Sequence, residues 1–249
     1  MSPAPAKYVY GVIPAAGDPP SVAGIGGTPV QLIGVDEIAA LVSDIDPDGL
    51  EMGREAMTAH ERVLEDALTG ATVLPMRFGV IMKGEQAVRS ELLSRHGSEL
   101  RAQLAALDGK IELRLRATYE EDRLMREAVA QDPEILRLRE SLRHVPEEAT
   151  YYARIQLGEL VAAAVERTRE ADGEAILAEL APLAVSVEVG ANAHERIALN
   201  ASFLVERGRL AAFDERVDEI GRSQAGRMRF KYTGPLPPHS FVSLATAEA

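Results

Sequence analysis

The stretch Lys110-Ile111-Glu112-Leu113-Arg114-Leu115-Arg116-Ala117-Thr118 alternates apolar and polar side chains without a break. Successive side chains of an extended chain point to opposite faces, so Ile111, Leu113, Leu115 and Ala117 define a buried side and the charged residues an open one. The same alternation returns downstream. Leu183, Val185, Val187 and Val189 alternate with Ala184, Ser186 and Glu188. Ile197, Leu199, Ala201, Phe203 and Val205 alternate with smaller or polar residues, and Met228, Phe230 and Tyr232 with Arg227, Arg229 and Lys231. Between the first two of these strands the pattern is helical. Charged helices over residues 120–130 and 134–143 are split by Asp132-Pro133. A long helix over 147–169 puts Tyr151, Ile155, Gly158, Ala162 and Val165 on one side, small enough to approach a sheet, and a shorter helix follows over 173–180. One more helix, 207–221, precedes the last strand. With residues 120–146 set aside as a helical insert, the order is β-α-β-β-α-β, a modified ferredoxin-like arrangement. The ending Gly-Pro-Leu-Pro-Pro-His-Ser-Phe from Gly234 to Phe241 holds too much proline for a helix or a central strand.

Working toward the N-terminus, Lys7 to Ile13 reads as a strand covered on both faces. A loop rich in Gly and Pro spans residues 15–29. Val30–Val35 and Ile38–Val42 form a hairpin about Asp36-Glu37, and Asp44, Asp46, Pro47, Asp48 and Gly49 form a turn. A helix over 51–68 carries Met52, Ala56, Ala59, Val63 and Ala67 on one stripe, widened by Met57 and Leu64. Ala71–Met82 reads as a buried strand distorted at Pro75, and Gln86–Leu107 as a helix broken near Gly97-Ser98. The expectation is an α+β chain of two domains. Residues 1–109 make the N-terminal one, and residues 110–249 the ferredoxin-like one with its insert and a tail at 234–249.

Composition narrows the function. The 249 residues, 46% hydrophobic and 27% charged, suit a globular chain. A net charge of −12 argues against general affinity for nucleic acid or anionic lipid. With no cysteine there is no disulfide, no thiolate nucleophile and no thiolate metal site. No signal peptide and no apolar run near the ~18 residues of a spanning helix is visible, which predicts a soluble, cytoplasmic protein.

Catalytic patterns are missing. Gly24-Ile25-Gly26-Gly27 resembles a nucleotide loop only superficially, because Pro29 and two strands stand where the fingerprint needs a helix. Gly109-Lys110 is followed by Ile111, not by the hydroxyl residue of a phosphate loop. A flexible loop is the simpler reading. The five histidines, His60, His96, His144, His194 and His239, form no metal-binding motif and read as solvated or capping residues. Carboxylate pairs such as Glu120-Glu121, Glu147-Glu148 and Asp214-Glu215 fall at helix starts or exposed faces. No Gly-x-Ser-x-Gly elbow occurs. The expectation is no catalytic, cofactor or metal site.

Two features stand out. Arg77 lies inside the apolar segment Leu74-Pro75-Met76-Arg77-Phe78-Gly79, where a buried guanidinium needs a partner. It reads either as an internal ion pair with Asp44 or Asp46 or as a recognition residue. Arg114, Arg116, Arg227, Arg229 and Lys231 fall on one sheet face, only partly offset by Glu112 and Glu188. Phe203, Phe230 and Tyr232 follow the core pattern, so stacking on RNA is not expected. An acidic protein surface, the N-terminal domain or the tail is the expected occupant of that face.

Tyr8-Val9-Tyr10-Gly11-Val12, His60-Glu61-Arg62-Val63-Leu64-Glu65, Val73–Met82, Phe203–Gly208 and Phe230–Val242 together make the chain resemble the gas vesicle protein F/L family over nearly its full length. Leu236 and His239 stand where that family's ending suggests an aromatic residue, leaving Phe241 as the anchor of any docking surface there. The resemblance implies a non-enzymatic accessory protein with an α+β N-terminal and a modified ferredoxin-like C-terminal domain. It implies a cytoplasmic protein associated with the gas vesicle. Its partners would be the small hydrophobic shell protein, gas vesicle protein A, and other accessory proteins, and its role nucleation or assembly of the shell or minor structural membership in it. Arg77, Arg114, Arg116, Arg227, Arg229, Lys231 and Phe241 are then the candidate contact residues. The competing reading is a small-molecule-binding or regulatory α+β protein with no role in a shell.

Overall fold

Tyr8, Val9, Tyr10, Val12 and Ile13 are all buried, so β1 (Ala6–Pro14) is covered on both faces as its apolar run predicts. The computed structural model describes residues 5–46, 53–120, 123–143, 145–146, 150–191 and 194–243. The expected turn at 47–49, the helix start at Glu51-Met52, Glu121-Asp122, His144, Glu147-Glu148 and the last residues of the tail lie outside these. The described residues divide into two compact units, one running through Glu112 and resuming at Gly234, the other spanning Leu113–Thr233.

In the first unit β1 pairs antiparallel with β3 (Ile38–Ile45), which pairs in turn with β2 (Gln31–Val35). The hairpin turns at Asp36, whose φ of 51° is a conformation that Asp tolerates better than most residues. On its other edge β1 holds two short strands, β4 (Leu74–Pro75) and β5 (Ile81–Met82). The single buried strand expected over 71–82 is therefore split: Val73 to Pro75 are buried, and the chain then rises to an exposed Arg77. Helix α1 (Arg54–Gly70) buries Ala56, His60, Val63, Leu64, Ala67 and Leu68. Met57, expected on that stripe, is half exposed, and His60 fills the stripe instead. A helical turn α2 (Gly84–Ala87) passes into a π-wound stretch, Val88–Ser94, then breaks at Arg95-His96 before α3 (Gly97–Leu107), close to the expected break.

The second unit is built on a four-stranded sheet ordered β7-β8-β6-β9. Its strands are β6 (Lys110–Tyr119), β7 (Ser186–Val189), β8 (Ile197–Glu206) and β9 (Met228–Leu236). Helices α4 (Arg123–Gln131) and α5 (Pro133–Ser141) follow β6, and the Asp132 side chain caps α5 by accepting from the backbone of Glu134 and Ile135. Helix α7 (Leu210–Ser223) buries Phe213, Val217 and Ile220. Two expectations fail here. The helices expected at 147–169 and 173–180 are one continuous helix, α6 (Tyr151–Leu180). Its packed side is Leu157, Leu160, Val161, Ala164 and Val165 against Ala128 and Ile135, whereas Tyr151, Ile155, Gly158 and Ala162 are exposed. The proline-rich ending also begins as strand, because β9 runs on to Leu236. Proline is tolerated there since β9 is an edge strand, so one of its sides needs no ladder N–H.

Candidate partner-binding surfaces

The Leu74–Gly79 segment is held by backbone and by tyrosine hydroxyls. Met76 N–H donates to the Tyr10 carbonyl at 2.8 Å, and Val9 N–H donates to the Val80 carbonyl at 2.9 Å. Gly79 N–H donates to the Tyr8 hydroxyl at 3.0 Å. The same hydroxyl lies within hydrogen-bond distance of His60 Nδ1, at 2.9 Å. Phe78 closes the cluster, its ring centroid 6.3 Å from Tyr8 and 5.8 Å from His60. Burial pushes the Tyr8 hydroxyl up to about 12, against the hydrogen bond from Gly79. Burial lowers the His60 pKa, with Glu61 opposing and His239 reinforcing the shift. The reading of His60 as solvated or capping is thus overturned: the ring is 1% exposed. Its place four residues from both Ala56 and Leu64 was the available signal.

Arg77 is where this framework opens outward. It is exposed and, among the described residues, makes no hydrogen bond or ion pair. The internal ion pair with Asp44 does not form. Lys7, only 7% exposed, takes that carboxylate at 2.5 Å. The Asp44 side chain is 42% exposed, and the cation that meets it comes from the paired strand β1.

The basic residues of the second sheet part into two groups. Arg114, Arg116, Arg229 and Lys231 are exposed along the neighbouring strands β6 and β9. Arg229 reaches Glu120 at 3.1 Å with its side chain 77% exposed, and Arg116 Nε lies 3.4 Å from Asn200 Oδ1. Such exposed contacts hold a side chain weakly. Arg227 is different. Its guanidinium donates to Glu127 at 2.6 Å and to Asp172 at 2.5 and 3.0 Å, and its Cζ lies 5.5 Å from the Tyr119 ring centroid. The Tyr119 hydroxyl donates to the same Asp172 carboxylate. The hydrogen bonds to Asp172 raise the Arg227 pKa, and burial followed by the Asp172 bond raises that of Tyr119. Arg227 therefore ties β9 to α4, α6 and β6 and does not share the open face. Sequence alternation put it on the last strand, whereas it lies in the turn just before β9, and carried no information on the acids of α4 and α6 facing it.

Glu112, expected to offset that face, is fully buried. Ser240 donates to it from its backbone N–H at 2.8 Å and from its hydroxyl at 2.9 Å. His239 Nε2 lies 3.1 Å from Glu61, and Ser243 and Gln103 exchange hydrogen bonds at 3.2 and 3.3 Å. The tail, which the sequence reading assigned to the second domain, is thus seated on residues of the first unit, with Phe241 half-buried in it. Among the described residues no group of histidines and acids is arranged to hold a metal, and no helix is long and apolar enough to cross a membrane.

Comparison with known proteins agrees with this construction. The gas vesicle protein F of Streptomyces sp. (strain CB03234) is 36% identical over 239 residues, covering 94% of this chain and 98% of that protein. The gas vesicle protein F of Dolichospermum flosaquae is 25% identical, covering 95% and 97%. In fold, the crystal structure of the gas vesicle protein GvpF from Anabaena sp. PCC7120 matches with a TM-score of 0.88 at 23% identity, over 97% of this chain and all of that one. That of GvpF from Microcystis aeruginosa matches with a TM-score of 0.78 at 23% identity, over 96% and 99%. The family described as gas vesicle synthesis protein GvpL/GvpF matches residues 6–243, and the chain belongs to it.

Proposed function

We propose that this chain is a non-enzymatic accessory protein that holds the small hydrophobic shell protein, gas vesicle protein A, while the gas vesicle shell nucleates and grows. The observation that carries the reading is family membership across residues 6–243, spanning both the Leu74–Gly79 segment and the Gly234–Phe241 ending. A subunit that polymerises through apolar surface needs a hydrated partner before assembly, and a chain of net charge −12 supplies one. We read the second unit as a modified ferredoxin-like domain with α4 and α5 inserted; its strand order β7-β8-β6-β9 supports this. The contact residues on this reading are Arg77, Arg114, Arg116, Arg229, Lys231 and Phe241, with Arg227 positioning β9 from behind. The cations suit acidic side chains of the shell protein or of other gas vesicle proteins. The protein acts in the cytoplasm at the growing vesicle and stays as a minor component of it.

The test is co-purification. Tagged protein, expressed with the shell subunit, is expected to retain it, and combined replacement of Arg114, Arg116 and Lys231 by Gln is expected to weaken retention without lowering the melting temperature. Failure of the unaltered protein to retain the shell subunit under assembly conditions overturns the reading.

A further inference from the structure

The glycine-rich loop read from sequence as flexible is a built element. Gly24 N–H donates to the Thr28 carbonyl at 2.7 Å, and the Thr28 hydroxyl donates to the Ile25 carbonyl at 2.8 Å. From beneath, the Tyr10 hydroxyl accepts from Ile25 N–H at 2.8 Å and donates to Ser43, which in turn donates to the Pro29 carbonyl. A Cβ on Gly24 would sit 2.2 Å from the Tyr10 hydroxyl, so only glycine fits there. Gly26 and Gly27 take φ values of 66° and 74°, and a Cβ on either would find no atom within 4 Å. The loop is fixed on its inner side and open on its outer side.

Opposite it stands α1. Arg54, Thr58 and Arg62 follow one another at intervals of four and share a helix face. Together with Gly24–Gly27 they line an open cleft of about 960 Å3. That is the size class of a small-molecule site. Both guanidinium groups are exposed, and neither has a hydrogen-bond or ion-pair partner among the described residues. They spring from points roughly 12 Å apart along the helix.

We propose that this cleft binds a polyphosphate anion, either a nucleoside triphosphate or a linear polyphosphate. Two unpaired arginines on one wall form charge-assisted, fork-shaped hydrogen bonds to phosphate oxygens. The glycine pair opposite lets those oxygens approach the backbone. Two spaced cations favour an elongated anion over a single phosphate. The two arginines outnumber the one carboxylate of this lining, Glu55, so in a chain of net charge −12 the cleft is a local exception to the overall repulsion of anions. The inference is independent of shell binding.

Isothermal titration of the full chain at low salt, with sodium tripolyphosphate, ATP and a polyglutamate peptide as probes, tests it. The expected result is one site per chain for tripolyphosphate or ATP, weakened at least about tenfold by Arg54→Gln or Arg62→Gln. Arg139→Gln, an exposed change in the second unit, is expected to leave it intact. Tighter binding of ATP than of tripolyphosphate identifies a nucleotide; equal binding identifies polyphosphate alone. All three residues named are exposed, and circular dichroism melts verify that each variant keeps its fold. No binding at millimolar probe, unchanged binding in the Arg54→Gln/Arg62→Gln double variant, equal loss in Arg139→Gln, or preference for polyglutamate overturns the proposal.

Discussion

Gly173, buried in the last third of α6, lies so close to the backbone of Ala198 on β8 that a Cβ added to it would stand 2.5 Å from the Ala198 carbonyl oxygen. Helix and sheet meet there with no side chain between them. Gly158, less than two turns of helix from the buried Ala164 toward the N-terminus, has nothing within 4 Å of its missing Cβ.

These two glycines are expected to respond oppositely to alanine. Gly173→Ala forces backbone apart and costs about 1–3 kcal/mol, the range for overpacking a tight site. Gly158→Ala meets open space and gains up to about 1 kcal/mol from helix propensity. Urea melts of both variants check this. A loss at Gly158 as large as that at Gly173 would mean that the first half of α6 is packed against something.

How far the sequence could be read is clearest in this helix. The alternating strands β6, β8 and β9 were legible because a period of two names both faces at once. In α6 small and apolar residues recur on more than one side, so the stripe chosen by spacing, Tyr151-Ile155-Gly158-Ala162-Val165, is exposed at all but its last member, Val165. What buries the other side is α4 and α5, a tertiary fact that no local pattern contains. Phe230 fails more gently: its side of β9 is correct, yet it is half-buried because an edge strand is covered less than a central one. Of the candidate contact residues, alternation found the exposed cations of β6 and β9. It could not separate Arg227 from them, since that residue's partners come from elements far along the chain.

That separation predicts unequal stability effects for neighbouring arginines. Arg227→Ala leaves Asp172 and Glu127 facing each other without a cation in a site about a quarter exposed. A loss of about 2–3 kcal/mol is expected, below the 3–5 of a fully buried pair because solvent screens part of it. Arg229→Ala breaks an exposed contact and is expected to cost no more than about 1 kcal/mol. Arg227→Lys rescues little, because one ammonium cannot serve two carboxylates in fork geometry. Equal midpoints for the two alanine variants in guanidinium would contradict the assignment.

The Tyr8–His60 contact predicts acid sensitivity. Burial holds the folded pKa of His60 below its unfolded value near 6.5, so the unfolded chain takes up the proton first. Stability from this group is therefore complete above about pH 6.5 and falls as the pH drops below that value. Urea midpoints between pH 7.5 and 5 are expected to decline for the unaltered protein and to decline less for His60→Gln. Identical slopes would assign the sensitivity to other groups.

Ser240 and Glu112 offer the last check, because they fasten the chain's end to the start of β6. Glu112 is an acid buried at 0% exposure, a placement that costs free energy unless hydrogen bonds to its oxygens offset it. Ser240 provides two, one from the backbone and one from the hydroxyl. Ser240→Ala removes only the second and is expected to cost about 1 kcal/mol, the usual net contribution of one hydrogen bond. Ser240→Pro removes both donors and is expected to free the tail before it unfolds the sheet. Limited proteolysis distinguishes the two effects: in Ser240→Pro, cleavage after Phe241 should quicken at temperatures where circular dichroism is still native. Cleavage that rises only together with global unfolding would mean that the tail is held chiefly by Pro237 and Pro238, both buried, and not by the serine.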